Sequence, residues 1–302
     1  MRVFVTGATG FVGSAIVGEL IGAGHRVLGL ARSDRSAKAL VAAGAEAHRG
    51  SLEELDTLRS GARASDAVIH TAFIHDFTNI PAAAETDRVA IVTLGEALGN
   101  SNRPLLVTSG TALVAPGRMA TEEDTPDPAL RPGWPRVSEE TALEMVSHGV
   151  GASAVRLPPS VHGDGDHGFI PLLIGIAREK GISAYVGDGQ NRWAAVHRLD
   201  AAHLFRLALE RGTAGARYHG VGDEGVPFRE IADVIGRHLN VPVVSKSAEE
   251  AVAHFGWFAR FASLDIPASS ARTQQLVEWH PEHSKLLEDL DRGHYFETAP
   301  VV

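Results

Sequence analysis

Three glycines near the start of the chain, Gly7, Gly10 and Gly13, stand between an apolar run (Val3, Phe4, Val5) and a segment of helical character over 14–23. A buried strand that turns at once into a helix aims free backbone amides at the positive helix N-terminus. Glycines in that turn let the backbone approach a pyrophosphate. The chemistry implied is dinucleotide binding by Gly7, Thr9, Gly10, Phe11, Val12 and Gly13. A tight turn without a ligand is the plainer alternative; strand before, helix after and the N-terminal position favour the nucleotide.

The spacing is T-G-x-x-G-x-x-G over 6–13, not G-x-G-x-x-G. It resembles the extended short-chain dehydrogenase/reductase superfamily, in particular its NAD-dependent epimerase/dehydratase branch. Three later segments carry the same resemblance. Ile69-His70-Thr71-Ala72 is similar to the family's fourth-strand end, where backbone near Ala72 lines the cofactor. Arg156-Leu157-Pro158-Pro159-Ser160-Val161-His162-Gly163 is similar to the family's L-R-P-x-x-V-Y-G segment. The resemblance puts Pro158 near the nicotinamide, and His162, in place of tyrosine, toward the substrate. Val196-His197-Arg198-Leu199-Asp200 resembles a V-H-V-D-D segment that starts a helix, which makes Asp200 an expected N-cap.

In NAD-preferring sheets an acidic residue about 20 residues beyond the glycines binds the ribose hydroxyls. Ala31 stands there, followed by Arg32 and Ser33. An uncharged position beside a guanidinium suits a ribose 2′-phosphate, and the serine adds a donor. NADP is therefore expected ahead of NAD, although Asp34 tempers the local field.

The family's acid/base chemistry uses Tyr-x-x-x-Lys. The tyrosines here are 185, 218 and 295, and none has lysine four residues on. The place the resemblance assigns to the pair holds Pro135 and Glu139. Other residues must then supply the chemistry. Ser109 and Thr111, in Thr108-Ser109-Gly110-Thr111, resemble the hydroxyl segment that binds a substrate carbonyl. His75 beside Asp76 suits a general acid near neutral pH. Arg136 offers a fixed cation for a carbonyl oxygen or a carboxylate, or a cap for loop carbonyls. Glu139 reads as a ribose acceptor or as a helix-start acid, since acids suit the first turn. Trp193 is a candidate wall of the substrate pocket, with core packing the alternative. His162, Asp164, Asp166 and His167 crowd one Gly-rich stretch, but their spacing matches no metal motif, and no metal is expected.

The elements that must hold these residues alternate. Strand-like segments at 26–30, 45–48, 67–70, 105–108 and 152–156 are separated by helical ones at 37–43, 53–60, 82–98 and 138–147. A Pro-rich loop (116–135) precedes the last of these helices. Such alternation argues for an α/β, Rossmann-type doubly wound parallel sheet. The expected division is a dinucleotide-binding domain over 1–160, with a returning segment near 194–220, and a mainly substrate-binding part over 161–302.

A chain of 302 residues, 44% apolar and 22% charged, buries a sizeable core. Its formal charge of −9 disfavours a nucleic-acid partner. The absence of cysteine excludes disulfides, thiolate catalysis and thiolate metal sites. No apolar stretch approaches the roughly 20 residues that span a bilayer, so a cytoplasmic protein with a small-molecule substrate is expected. The resemblance also implies a homodimer. The leading functional reading is an NADP-dependent oxidoreductase of a small carbonyl or alcohol. A nucleotide-sugar epimerase or dehydratase and a non-catalytic NADP-binding redox sensor are the competing readings.

Overall fold

Short β-branched and apolar runs, each followed by a helix, build the larger part of the chain. The computed structural model describes residues 1–75, 79–112, 114–126 and 135–297. The strands are β1 (Arg2–Thr6), β2 (Arg26–Ala31), β3 (Glu46–Arg49), β4 (Ala67–His70), β5 (Pro104–Gly110) and β6 (Gly151–Leu157). They are followed by β7 (Ser160–His162), β8 (Ser183–Val186), β9 (Arg192–His197), β10 (Arg217–His219), β11 (Asp223–Pro227) and β12 (Val243–Lys246). Seven of them form one parallel sheet in the order β10-β6-β5-β4-β1-β2-β3.

Between these strands run α1 (Phe11–Gly22), α2 (Asp34–Ala42), α3 (Leu55–Arg63), α4 (Ile80–Leu98) and α5 (Ser138–Glu144). Farther along come α6 (Phe169–Lys180), α7 (Arg198–Arg211), α8 (Phe228–Leu239) and α9 (Ala248–Phe255). Three short helices, α10 (Ala259–Ala262), α11 (Ala271–Val277) and α12 (Leu286–Asp291), and 3-10 turns at Met145–His148, Gly256–Phe258 and His294–Phe296 complete the described chain.

Period-two alternation along each strand feeds two cores. Val3 and Val5 of β1 face α1 and α7 with Ile16, Leu20, Leu204 and Phe205. Phe4, between them, faces α3 and α4 with Leu58, Ile91 and Leu94. Strands buried on both faces read as continuous apolar runs, as β4 and β5 do. The expected parallel α/β sheet is thus observed, with β10 added beyond the six strands visible in sequence. A third core, around Trp193, Phe228, Phe255 and Phe258, joins the β11-β9-β7 sheet to α6, α8, α9 and α12.

The chain leaves β1 toward β2 on one side and reaches β4 on the other. In such sheets ligands bind outside the carboxyl ends of the strands, at this reversal. The turn after β1 meets the loop after β4 there. Gly7 has φ +68°, and a Cβ on it would lie 2.7 Å from Thr71 Oγ1 and 2.8 Å from Ala72 N. Only glycine satisfies both the torsion and the approach.

Candidate active site

The glycine turn is shaped as a cradle. Gly10 N donates to Gly7 O at 2.8 Å, closing the turn. A Cβ on Gly13 would fall 2.0 Å from the same oxygen, so α1 can pack onto the turn only without a side chain there. No side chain caps α1. The amides of Phe11, Val12 and Gly13 have no intrahelical acceptor, and Thr9 and Gly10 beside them are exposed. Open amides at a helix N-terminus fit a pyrophosphate. Arg198 locks this corner. It lies 4.7 Å over the Phe11 ring, donates to Ser14 Oγ at 3.0 Å and to Asp164 O at 2.7 Å.

At the end of β2, Ala31 is buried and Arg32 exposed. Arg32 and Arg35 make no hydrogen bond or ion pair among the described residues, whereas Asp34 is taken by Arg49. The acid that tempers the field in the sequence is therefore already neutralised. The Ser33 hydroxyl caps α2, accepting Ser36 N at 3.1 Å, and shares a hydrogen bond of 3.0 Å with the Ser36 hydroxyl.

At the carboxyl ends of β4 and β5, several candidates come together. Ser109 is half-buried, with no partner for its hydroxyl among the described residues. Thr111 is buried, and its hydroxyl is likewise unpartnered. Arg136 stacks 4.3 Å above the Phe73 ring, and the His75 ring meets Phe73 edge-on with centroids 5.3 Å apart. His75 is exposed at the mouth of the site. Desolvation by the surrounding chain and then the Arg136 charge lower its pKa below the ordinary histidine value, against a hydrogen bond with the Phe73 backbone. Its neighbour Asp76 lies outside the described residues, as does part of the Pro-rich loop. Ala72 and the buried Pro158 flank the same sheet edge.

The residue pattern has its counterparts. The model of the NAD dependent epimerase/dehydratase family matches residues 3–221. The chain belongs to that family. An uncharacterized protein of Schizosaccharomyces pombe is 51% identical over 98% of this chain and 100% of its own length. A sterol-4-alpha-carboxylate 3-dehydrogenase of Dictyostelium discoideum is 30% identical over 76% of this chain and 74% of its own. A 4-hydroxy-2-methyl-3-oxo-4-farnesyl-3,4-dihydroquinoline-1-oxide ketoreductase of Stigmatella aurantiaca is 28% identical, over 89% and 84%. Among solved structures, the dTDP-glucose 4,6-dehydratase DesIV of Streptomyces venezuelae, with NAD and TYD bound, superposes with a TM-score of 0.75. That match covers 97% of this chain and 95% of DesIV at 22% identity, a likeness of fold. The protein is an NAD(P)-dependent oxidoreductase of the short-chain dehydrogenase/reductase type.

Within this family frame, Glu139 stands in the first turn of α5, as expected of a helix-start acid, but it is buried and paired and is not an open ribose acceptor. It is 1% exposed and receives Arg156 through two bonds of 2.7 and 2.6 Å, and Arg217 at 2.6 Å. Burial pushes its carboxyl up, but the two guanidiniums outweigh that and hold it below the usual range.

Three other expectations are corrected. Trp193 does not wall an open pocket: it is fully buried, packed by Phe169, Phe228 and Phe258, because β9 turns that face into the third core. His162 is also fully buried, bonded through Nδ1 to Asp289 at 2.9 Å and edge-on to His197, so α12 covers the face expected to meet substrate. Asp200 is not the N-cap of α7. His197 is, while Asp200 accepts the amides of Glu282 and His283 and the His283 ring. Asp166, in the Gly-rich stretch, accepts Gly168 N and the Tyr295 hydroxyl. No group of three or more His, Asp or Glu among the described residues is arranged to hold a metal.

Sequence reasoning missed Asp87, His70, Ser138 and Phe73. A lone acid inside the otherwise apolar buried face of α4 is the signal that marks Asp87: it is 1% exposed between Ala84 and Ala90. What it partners could not be read from a helix 50 residues away from Ser138.

Proposed function

We propose that the protein is an NADP-dependent reductase of a small organic carbonyl compound. The observation that carries the cofactor choice is the end of β2. An acid there would repel a 2′-phosphate; instead the chain offers Ala31 and two unpaired guanidiniums, Arg32 and Arg35. The glycine cradle and the open amides of α1 would hold the pyrophosphate, and Ala72 and Pro158 would line the path to the nicotinamide. When bound, the cofactor supplies a hydride to the carbonyl carbon.

The chain's own residues handle the oxygen. Ser109, whose hydroxyl is uncommitted, donates to the carbonyl oxygen, with Thr111 behind it. Arg136, a permanent cation, stabilises the charge that develops on that oxygen as the C–H bond forms and the C=O π pair moves onto it. The proton that completes the alcohol comes from His75, exposed at the mouth, or from water. Among the described residues, no base with a raised affinity for the alcohol proton stands here, which favours reduction over oxidation. The substrate lies between the sheet edge and the part of the chain beyond residue 160. Relatives named as a ketoreductase and a 3-dehydrogenase support carbonyl/alcohol chemistry.

The test is fluorescence titration of wild type and Arg32→Glu with NADPH and NADH, followed by absorbance at 340 nm over a panel of aldehydes and ketones. Arg32→Glu is expected to weaken NADPH about 10- to 100-fold, the equivalent of one or two charge-assisted bonds, and to leave NADH unchanged. Equal affinities of wild type for the two cofactors would overturn the NADP assignment. Tight binding without turnover would favour the sensor reading.

A further inference from the structure

Arg136 is held by a buried hydrogen-bonded chain that begins at the glycine-rich turn. Thr6, the last residue of β1, accepts Ala72 N at 3.4 Å, and its hydroxyl meets His70 Nδ1 at 2.8 Å. His70 Nε2 lies 3.1 Å from Asp87 Oδ1. A carboxylate only accepts, so Nε2 carries the proton and Nδ1 receives the threonine hydroxyl. The other Asp87 oxygen accepts the Ser138 hydroxyl at 2.5 Å. Ser138 in turn accepts Arg136 Nε at 2.6 Å, and Asp87 Oδ2 is 3.6 Å from that nitrogen. One terminal nitrogen of Arg136 donates to Thr108 O at 3.0 Å, beside Ser109. The other terminal nitrogen has no partner among the described residues.

Thr6, His70, Asp87 and Ser138 are each no more than 2% exposed. Burying a carboxylate on the inner face of α4 is costly unless its lone pairs are used. Burial does push the Asp87 carboxyl up, but the His70 bond and the Arg136 charge prevail and keep it ionised. Such a chain goes beyond the needs of a loop cap. A cap requires one guanidinium bond to a carbonyl; here two nitrogens are fixed, the ring of Phe73 supports the plane, and the third has no partner among the described residues.

We propose that Asp87, through Ser138, is the positioning residue for Arg136, and that His70 and Thr6 couple this position to the cofactor turn. The oxyanion-binding guanidinium is thereby placed in register with the nicotinamide path, in a family member that lacks the tyrosine and lysine. This assignment rests on the reductase reading for its kinetic consequence, though not for its geometry.

The experiment is a double-mutant cycle of Asp87→Asn and Arg136→Met in the full-length protein, with Ser138→Ala as a milder variant. An amide at 87 removes the negative charge that lies 3.6 Å from Arg136 Nε and turns one of the two acceptors into a donor, so either His70 or Ser138 loses the acceptor it uses in wild type. Asp87→Asn is expected to lower kcat about 100-fold, the scale of losing one oxyanion donor, with NADPH affinity within about twofold of wild type and no further loss in the Arg136→Met background. Ser138→Ala is expected to lower kcat in the same way with less effect on folding. In parallel, the Arg136 Nε–H resonance of the NADPH complex is followed by NMR in wild type, Asp87→Asn and Ser138→Ala. A slowly exchanging signal in wild type that is lost in both variants supports the assignment even if no carbonyl on the panel is reduced, an outcome that would sink the reductase reading alone. Additive kinetic effects, or an Arg136 signal unchanged by both variants, would overturn it.

Discussion

In the proposed reduction, His75 and Arg136 divide the work of the missing tyrosine and lysine in unequal ways. The guanidinium keeps its charge at every working pH, so only the imidazole can impose a titration on the reduction. Its pKa is lowered from the ordinary 6.5 by desolvation and by Arg136. A proton donor must be protonated, so if His75 delivers the proton, kcat/KM for reduction is highest at acid pH. It then falls tenfold per unit above a midpoint lying below 6.5. His75→Phe should flatten that limb over pH 5 to 9 while leaving NADPH affinity unchanged. A falling limb that persists in the variant would assign the proton to water or another group. Ser33 illustrates the same competition at one residue: its hydroxyl is both helix cap and candidate ligand donor.

The first helix depends on two glycines in opposite senses. A side chain at Gly13 collides with the backbone of the turn, whereas nothing lies within 4 Å of a Cβ at Gly18, on the exposed side of α1. Gly13→Ala must push helix and turn apart, at a cost of about 1–3 kcal/mol, and should abolish measurable NADPH binding at the concentrations wild type needs. Gly18→Ala removes chain entropy from the unfolded state and should stabilise by about 0.5–1 kcal/mol. Thermal melts of the two variants, with and without NADPH, check both. A Gly13→Ala protein that binds NADPH normally would contradict the cradle. The comparison separates a glycine required by packing from one that is merely permitted.

At the scale of the molecule, one buried cluster ties helix to sheet. Glu139 of α5 holds Arg156 of β6 and Arg217 of β10. Arg156 also bonds the carbonyl of Asp124 at 2.8 Å and Nε2 of His219 at 3.1 Å. Glu139→Gln leaves the fully buried Arg156 without its counter-ion, and removing one partner of a buried pair costs about 3–5 kcal/mol. Urea denaturation at pH 7 should show this loss. The sign of the pH dependence follows from the lowered carboxyl. The stabilisation is complete above the ordinary value of 4.5 and is lost as pH falls through the folded pKa. The denaturation midpoint of wild type should therefore fall with acidification more steeply than that of Glu139→Gln.

The local sequence was enough for the doubly wound sheet, the glycine turn and the uncharged residue, Ala31, at the end of β2. Each depends on residues within a turn or a strand of one another, where periodicity and spacing translate directly into geometry. The same locality shows that Tyr-x-x-x-Lys is absent. It could not show what stands in its place. Arg136 meets Asp87 and Phe73, Glu139 meets Arg156 and Arg217, and His162 meets Asp289 across 17 to 127 positions. Trp193 looked like a pocket residue because it follows a stretch of glycine and aspartate, and His162 because it stands where the family has tyrosine. Tertiary packing turned them inward, since β9 and β7 share a face that α12 and the third core must cover. Which polar side chains are buried together, and hence which charges can be fixed or left free, is decided only when distant segments close over them.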